Sequence, residues 1–134
     1  MKKAALFLAV TASFLIPVTT LQAKPKLTPE QQLAKLLEGR VAGKPVSCIS
    51  LSDSRDTQVL DGTAIVYSFG NTIYVNRTTH PQSLDSDDIQ VIKITGSQLC
   101  RLDTIYLHDR SGGMWRGFVG LDDFVPYRRV PKAI

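Results

Sequence analysis

An alternation of apolar and polar residues with a period of two runs through most of this 134-residue chain and most constrains its fold. From Val46 onward, short β-prone runs are separated by Gly, Asp, Asn and Pro, which interrupt strands. We expect strands at 46–51, 56–60, 63–69, 72–76, 89–95, 103–108, 114–119 and 124–127. Many short strands at regular spacing predict a mainly β fold, either a small antiparallel barrel or a sandwich.

Two of these runs carry additional information. The run 63–69 has apolar side chains on both of its faces, which indicates a central strand. Gly70 and Asn71 separate it from the next run as a two-residue loop, and a glycine in first position suits a type II′ hairpin turn. Ser111-Gly112-Gly113 is a second signal for a tight turn.

One short N-terminal helix precedes the strands. Thr28 can cap it, Pro29 suits its first position, and Gln31 stands where a capping box requires an amide or carboxylate. An apolar stripe with helical spacing follows, formed by Leu33, Leu36 and Leu37. Gly39 is a suitable stop, so we expect a helix over about residues 29–38 that packs through its leucines.

Residues 1–23 have the three-part pattern of a secretory signal. Lys2 and Lys3 precede an apolar run over 4–17, and Leu21 and Ala23 suit a cleavage site. The alternative is an N-terminal membrane anchor, for which this run is short beside the roughly 20 residues that span a bilayer. No later stretch is apolar enough to cross a membrane. We therefore expect one exported domain over residues 24–134, either periplasmic or secreted.

The chain has two cysteines, Cys48 and Cys100. An even number in an oxidising compartment favours a disulfide, and two unpaired core cysteines are the alternative. Their separation argues against a redox motif of the Cys-x-x-Cys type.

The charge balance argues against nucleic acid as the main partner. Without residues 1–23 the chain has fourteen Lys and Arg against twelve Asp and Glu. So small an excess gives little attraction to a polyanion.

Motifs for catalysis, metals and cofactors are weak. The acidic segment 85–88 lacks the glycine and distal glutamate of a calcium loop, and nothing places His80 near His108 for zinc. Ser97 is the best candidate nucleophile, but no Gly-x-Ser-x-Gly motif surrounds it. We expect neither an enzyme nor a cofactor protein. A small hydrolase using Ser97, His108 and an aspartate, or an inhibitor of an envelope enzyme, is the alternative.

Arginines and aromatic residues are interleaved in the last quarter of the chain, where they could form a contact surface. The members that we select as a candidate binding surface are Arg110, Trp115, Arg116 and Arg128. The neighbouring residues of the same kind are Phe118, Phe124, Tyr127 and Arg129. The competing interpretation places the rings in the core with arginine stems covering their edges.

Three segments, 39–49, 96–100 and 123–127, together resemble a family of small exported bacterial proteins of unknown function. Their motifs are Gly-Arg-Val-Ala-Gly-Lys-Pro-Val-Ser-Cys-Ile, Gly-Ser-Gln-Leu-Cys and Asp-Phe-Val-Pro-Tyr. The resemblance implies an exported β-rich domain with a helix ahead of its first cysteine. It implies no activity, cofactor or catalytic residue. We expect an accessory or binding protein of the bacterial envelope, with an envelope protein or a glycan as its partner.

Overall fold

The computed structural model describes residues 20–132 and contains one α-helix and ten strands. The helix α1 covers Pro29–Leu36. The strands are β1 (Arg40–Ala42), β2 (Cys48–Ser50), β3 (Asp56–Leu60), β4 (Ala64–Phe69), β5 (Thr72–Asn76), β6 (Ile89–Ile92), β7 (Gln98–Cys100), β8 (Thr104–His108), β9 (Trp115–Gly120) and β10 (Val125–Arg129). The predicted signal segment 1–23 lies outside the described residues except for its last four, which are exposed and have no regular structure.

The start of α1 is the predicted capping box. The Thr28 hydroxyl accepts a hydrogen bond from the Gln31 backbone N–H at 3.3 Å, and the Gln31 side chain accepts one from the Thr28 N–H at 2.9 Å. The helix ends at Leu36, two residues before the predicted end. Arg40 already belongs to β1, where it pairs with Arg129, so the chain turns between α1 and β1. Gly39, whose φ is +71°, lies in this turn.

A five-stranded antiparallel sheet in the order β1-β10-β5-β4-β3 forms the middle layer. The interior strand β4, between β5 and β3, is buried on both faces, as its sequence predicts. On one face, Val66 and Ala64 pack with Leu33 of the helix. On the other face, Ile65 and Tyr67 enter a larger core.

The second layer consists of a three-stranded sheet, β6-β8-β9, and the two-stranded pair β2-β7. Its inward side chains include Ile105, Leu107 and Val119, which pack with Ile65 and Tyr67 of the middle sheet. The sheets do not close on themselves, so of the two expected architectures the sandwich is confirmed and the barrel is not.

The turn between β4 and β5 has the predicted two-residue form. Phe69 pairs with Thr72, and Gly70 has a φ of +59°, which the first position of a type II′ turn requires.

Two strands were not predicted from the sequence. β1 and β7 contain three residues each, too few to show an alternation. The predicted strand at 46–51 is likewise reduced to Cys48–Ser50 and an isolated bridge between Val46 and Phe124.

The predicted disulfide between Cys48 and Cys100 is confirmed. The two residues lie directly opposite each other in the β2-β7 pair, with their Cα atoms 4.0 Å apart. The bridge closes a segment with a sequence separation of 52 residues.

Candidate functional site

The outer face of the β6-β8-β9 sheet carries exposed apolar side chains. In β8, Ile105 and Leu107 are buried inward, so alternation turns Tyr106 and His108 outward. Cross-strand neighbours share a face, so this face has two rows. The first row is Val91, Tyr106 and Phe118, and the second is Ile89, His108 and Trp115.

We call Ile89, Val91, Tyr106, Trp115 and Phe118 the aromatic face. Trp115 and Phe118 are 63% and 60% exposed, although both belong to the strand β9. Lys93 lies beside this face, with its Nζ 5.1 Å from the centre of the Tyr106 ring. An apolar surface of this kind on rigid strands is typical of a contact site.

A β-bulge in β9 directs Arg116 away from the regular alternation. Leu107 pairs with Gly117 and His108 with Trp115, so Arg116 is the extra residue. Gly117 has a φ of +136°, a backbone conformation that favours glycine. The bulge brings Arg116 to the acidic segment that precedes β6.

There Arg116 contacts two carboxylates. Its Nη1 lies 3.1 Å from Oδ1 of Asp88 and 3.8 Å from Oδ2 of Asp85. The Asp88 side chain is only 2% exposed, whereas half of the Arg116 side chain is exposed. Because the Asp88 carboxylate is removed from water, the loss of its partner Arg116 would leave a buried charge without compensation.

A second arginine binds the same acidic segment from the turn between β8 and β9. Arg110 donates from Nε to the Asp87 carbonyl at 3.0 Å, and the same nitrogen lies 3.6 Å from Asp87 Oδ1. Both side chains are largely exposed, so this ion pair contributes little to stability.

Asp109 organises the turn itself. Its Oδ1 accepts hydrogen bonds from the backbone N–H groups of Ser111 and Gly112 and from the Ser111 hydroxyl. The Ser111 hydroxyl and these backbone donors stabilise the carboxylate and hold the pKa of Asp109 below its ordinary value. Asp109 therefore stays charged across the neutral range.

An open cleft of about 490 Å³ lies between the acidic segment and this turn. The residues that line it are Asp87, Asp88, Asp109, Arg110, Ser111, Met114, Trp115 and Arg116. Most of its charged groups already contact each other, so the cleft is a preformed pocket with an exposed indole on its wall.

The structure brings together three of the four residues selected as a binding surface. Arg110, Trp115 and Arg116 line the cleft. Arg128 lies in the other layer, on β10, where it pairs in register with Val41 and Thr72.

The neighbouring aromatic residues separate in the same way. Phe118 is exposed on the aromatic face, while Phe124 is fully buried and Tyr127 is partly buried against the core cluster that includes Leu33. The core interpretation therefore applies to Phe124 and Tyr127. The members of the aromatic face that were not predicted from the sequence are Ile89, Val91 and Tyr106, although the alternation in β6 and β8 is a signal for them.

The residues of the hydrolase alternative do not form a hydrogen-bonded set within residues 20–132. Nδ1 of His108 lies 3.1 Å from the carbonyl oxygen of Gly113. Ser97 lies beside the disulfide-linked pair of strands, where its carbonyl accepts from Leu51 N–H. Within residues 20–132, no group of three or more His, Cys, Asp or Glu side chains is placed to hold a metal ion.

None of the helices within the described range is long and apolar enough to cross a membrane. The disulfide is compatible with a periplasmic or extracellular location. No family model matches the chain, and no curated protein or solved structure is significantly similar to it.

Proposed function

We propose that this chain is a non-enzymatic binding protein of the bacterial envelope that contacts another protein through the aromatic face. The observation that carries the proposal is the exposure of Trp115 and Phe118 on β9, on either side of its bulge. Burial of a large apolar side chain in an interface contributes about 1.5–3 kcal/mol, so two rows of such side chains can supply a useful affinity.

The composition of the surface favours a protein partner. Trp, Tyr, Phe, Met and Arg are the residues enriched in protein interfaces, and all five types occur on the aromatic face or in the adjoining cleft. Because the strands already fix the backbone, little backbone entropy is lost when a partner binds.

A glycan is the less favoured partner, because it needs several polar groups free to bind its hydroxyls. In the cleft these groups are largely engaged. Arg116 contacts Asp88, Arg110 donates to the Asp87 carbonyl, and Asp109 Oδ1 accepts three hydrogen bonds. The apolar rows outside the cleft suit flat protein contacts.

Affinity capture from an envelope extract of the source organism tests the proposal. The bait proteins are the wild type, a Trp115→Ser/Phe118→Ser variant and a Val41→Ser control. Val41 is a suitable control because it is 60% exposed on β1, in the other sheet. We expect the wild type and the control to capture the same protein in equal amounts. The double variant should capture about tenfold less of it, which corresponds to a loss of about 1.4 kcal/mol in binding free energy.

Equal recovery by all three baits would overturn the proposed surface. Elution of the captured material by free saccharides, or its loss after glycosidase treatment, would instead identify a glycan as the ligand.

A further inference from the structure

The strand β6 ends its sheet with an open hydrogen-bonding edge. It pairs with β8 on one side and is the terminal strand of the β6-β8-β9 order. Such an edge presents backbone donors and acceptors that another strand can use.

The hydrogen bonds around β8 identify which groups of β6 face outward. Asp109 N–H donates to the Met114 carbonyl, and the Asp103 carbonyl accepts from Leu121 N–H, so these odd-numbered residues bond on the β9 side. Alternation then directs the backbone groups of Tyr106 and His108 toward β6.

Tyr106 and His108 pair with Val91 and Ile89. The N–H and C=O groups of Gln90 and Ile92 therefore point away from the sheet. Among residues 20–132 these four outward groups have no hydrogen-bond partner.

The edge strands β9, β1 and β3 are less open than β6. In β9, the bulge at Arg116 breaks the regular spacing, and Gly120 C=O already accepts from Thr79 N–H at 2.9 Å. In β1, Arg40 N–H donates to Leu37 C=O at the end of the helix. β3 contacts α1 and begins with the polar residues Asp56, Thr57 and Gln58.

The side chains of β6 suit an added strand. Ile89 and Val91 are about two-fifths exposed, at 41% and 37%, and adjoin the outward groups. An incoming strand would extend the aromatic face by placing its own apolar residues beside them. Two residues before β6, the Asp87 carboxylate is 85% exposed although Arg110 lies 3.6 Å from it, so it can also attract a basic residue of the incoming strand.

We propose that β6 receives an extended segment of the partner protein as a fourth strand of this sheet, with alternate apolar residues and a Lys or Arg near Asp87. This inference rests on the proposed function and adds the mode of binding. Gln90 and Ile92 supply the backbone hydrogen bonds, and Ile89 and Val91 select apolar side chains.

A model peptide tests this mode directly. The probe is a capped octapeptide of alternating valine and threonine with lysine at both ends. Its matched control has the same sequence with alternate backbone amides N-methylated, which removes donors and retains the side chains. Binding is titrated by NMR on the ¹⁵N-labelled protein, followed by amide hydrogen exchange.

At a peptide concentration of ten times the measured Kd, we expect exchange at Gln90 and Ile92 to slow by about tenfold. The N-methylated peptide should give no such protection. A Val91→Lys variant, which places a charge on the edge strand, should weaken binding.

Two results would overturn the inference. One is the absence of binding at millimolar peptide. The other is a binding event that shifts the Trp115 and Phe118 signals but leaves Gln90 and Ile92 unprotected. The capture experiment decides the proposed function independently, because its variants alter the aromatic face and not the edge.

Discussion

The guanidinium of Arg116 lies 3.1 Å from the carboxylate of Asp88, whose side chain is only 2% exposed. Asp88 Oδ2 is also buried and has no hydrogen-bond partner within the described residues. Arg116 is therefore the charged group that compensates this carboxylate, and the β9 bulge is what places it there.

Replacement of Arg116 should consequently destabilise the fold. We expect Arg116→Met to lower the free energy of unfolding by about 1–3 kcal/mol, because a buried acceptor loses its partner. The measurement is urea denaturation. Arg110→Met is the matched control and should cost at most about 1 kcal/mol, since both partners in the Arg110–Asp87 pair are exposed. Equal losses for the two variants would contradict the compensating role of Arg116.

The disulfide should supply a large share of stability. Closing a loop with a sequence separation of 52 residues contributes about 4 kcal/mol in the chain-entropy model. We expect a Cys48→Ala/Cys100→Ala variant to lose about 2–5 kcal/mol in urea denaturation. Thiol titration of the denatured, unreduced protein should find no free thiol at these positions. Two reactive thiols would refute the bridge.

Tyr67 has a hydroxyl that is buried and unpaired within the part of the chain that the structure describes. Tyr67→Phe removes that polar atom, so we expect the free energy of unfolding to stay the same or rise by up to about 1 kcal/mol. A loss of more than about 1 kcal/mol in thermal or urea denaturation would mean that the hydroxyl makes a stabilising hydrogen bond.

The burial of Tyr67 also predicts that the free energy of unfolding depends on pH in the alkaline range. Burial raises the pKa of Tyr67 above its ordinary value of 10.0, because the charged phenolate is poorly solvated inside the core. The unfolded chain then releases a proton above pH 10 that the folded chain retains. The contribution of Tyr67 to the free energy of unfolding should therefore be fully present below pH 10. Above pH 10 the free energy of unfolding should decline, by up to about 1.4 kcal/mol per pH unit from this group.

Tyr67→Phe is the control for this titration. The difference in unfolding free energy between wild type and variant should be constant at neutral pH and move in favour of the variant as pH rises above 10. A constant difference through the alkaline range would contradict the raised pKa.

The capping box at Thr28 should stabilise the helix that covers one face of the middle sheet. Thr28→Ala removes the acceptor for Gln31 N–H and should cost about 1 kcal/mol. Thr28→Ser retains the hydroxyl and should change stability by a few tenths of a kcal/mol. The comparison of the two by urea denaturation isolates the cap, and an equal loss for both would show that the methyl group matters instead.

Features that depend on neighbouring residues could be predicted from the sequence. The capping motif at Thr28, the two-residue turn at Gly70 and the doubly apolar run of β4 act over a few residues. The three-residue strands β1 and β7 could not be predicted in this way, since their partners are distant in the chain.

The candidate site shows the same division. Arg110, Trp115 and Arg116 are close in the chain, so one hairpin suffices to bring them together. The position of Arg128 in the other sheet and the burial of Phe124 depend on strand pairing and layer packing.

The sequence by itself determined the strand-rich class, the helix start, the tight turns and the pair of cysteines available for a bridge. It could do so because backbone preferences and side-chain alternation are local. Only the tertiary structure decided that Arg116 faces Asp88, that two aromatic residues stand in solvent, and that β6 keeps an open edge. Those outcomes follow from the register of strands distant in the chain, since a shift of one residue in a strand moves its side chains to the opposite face.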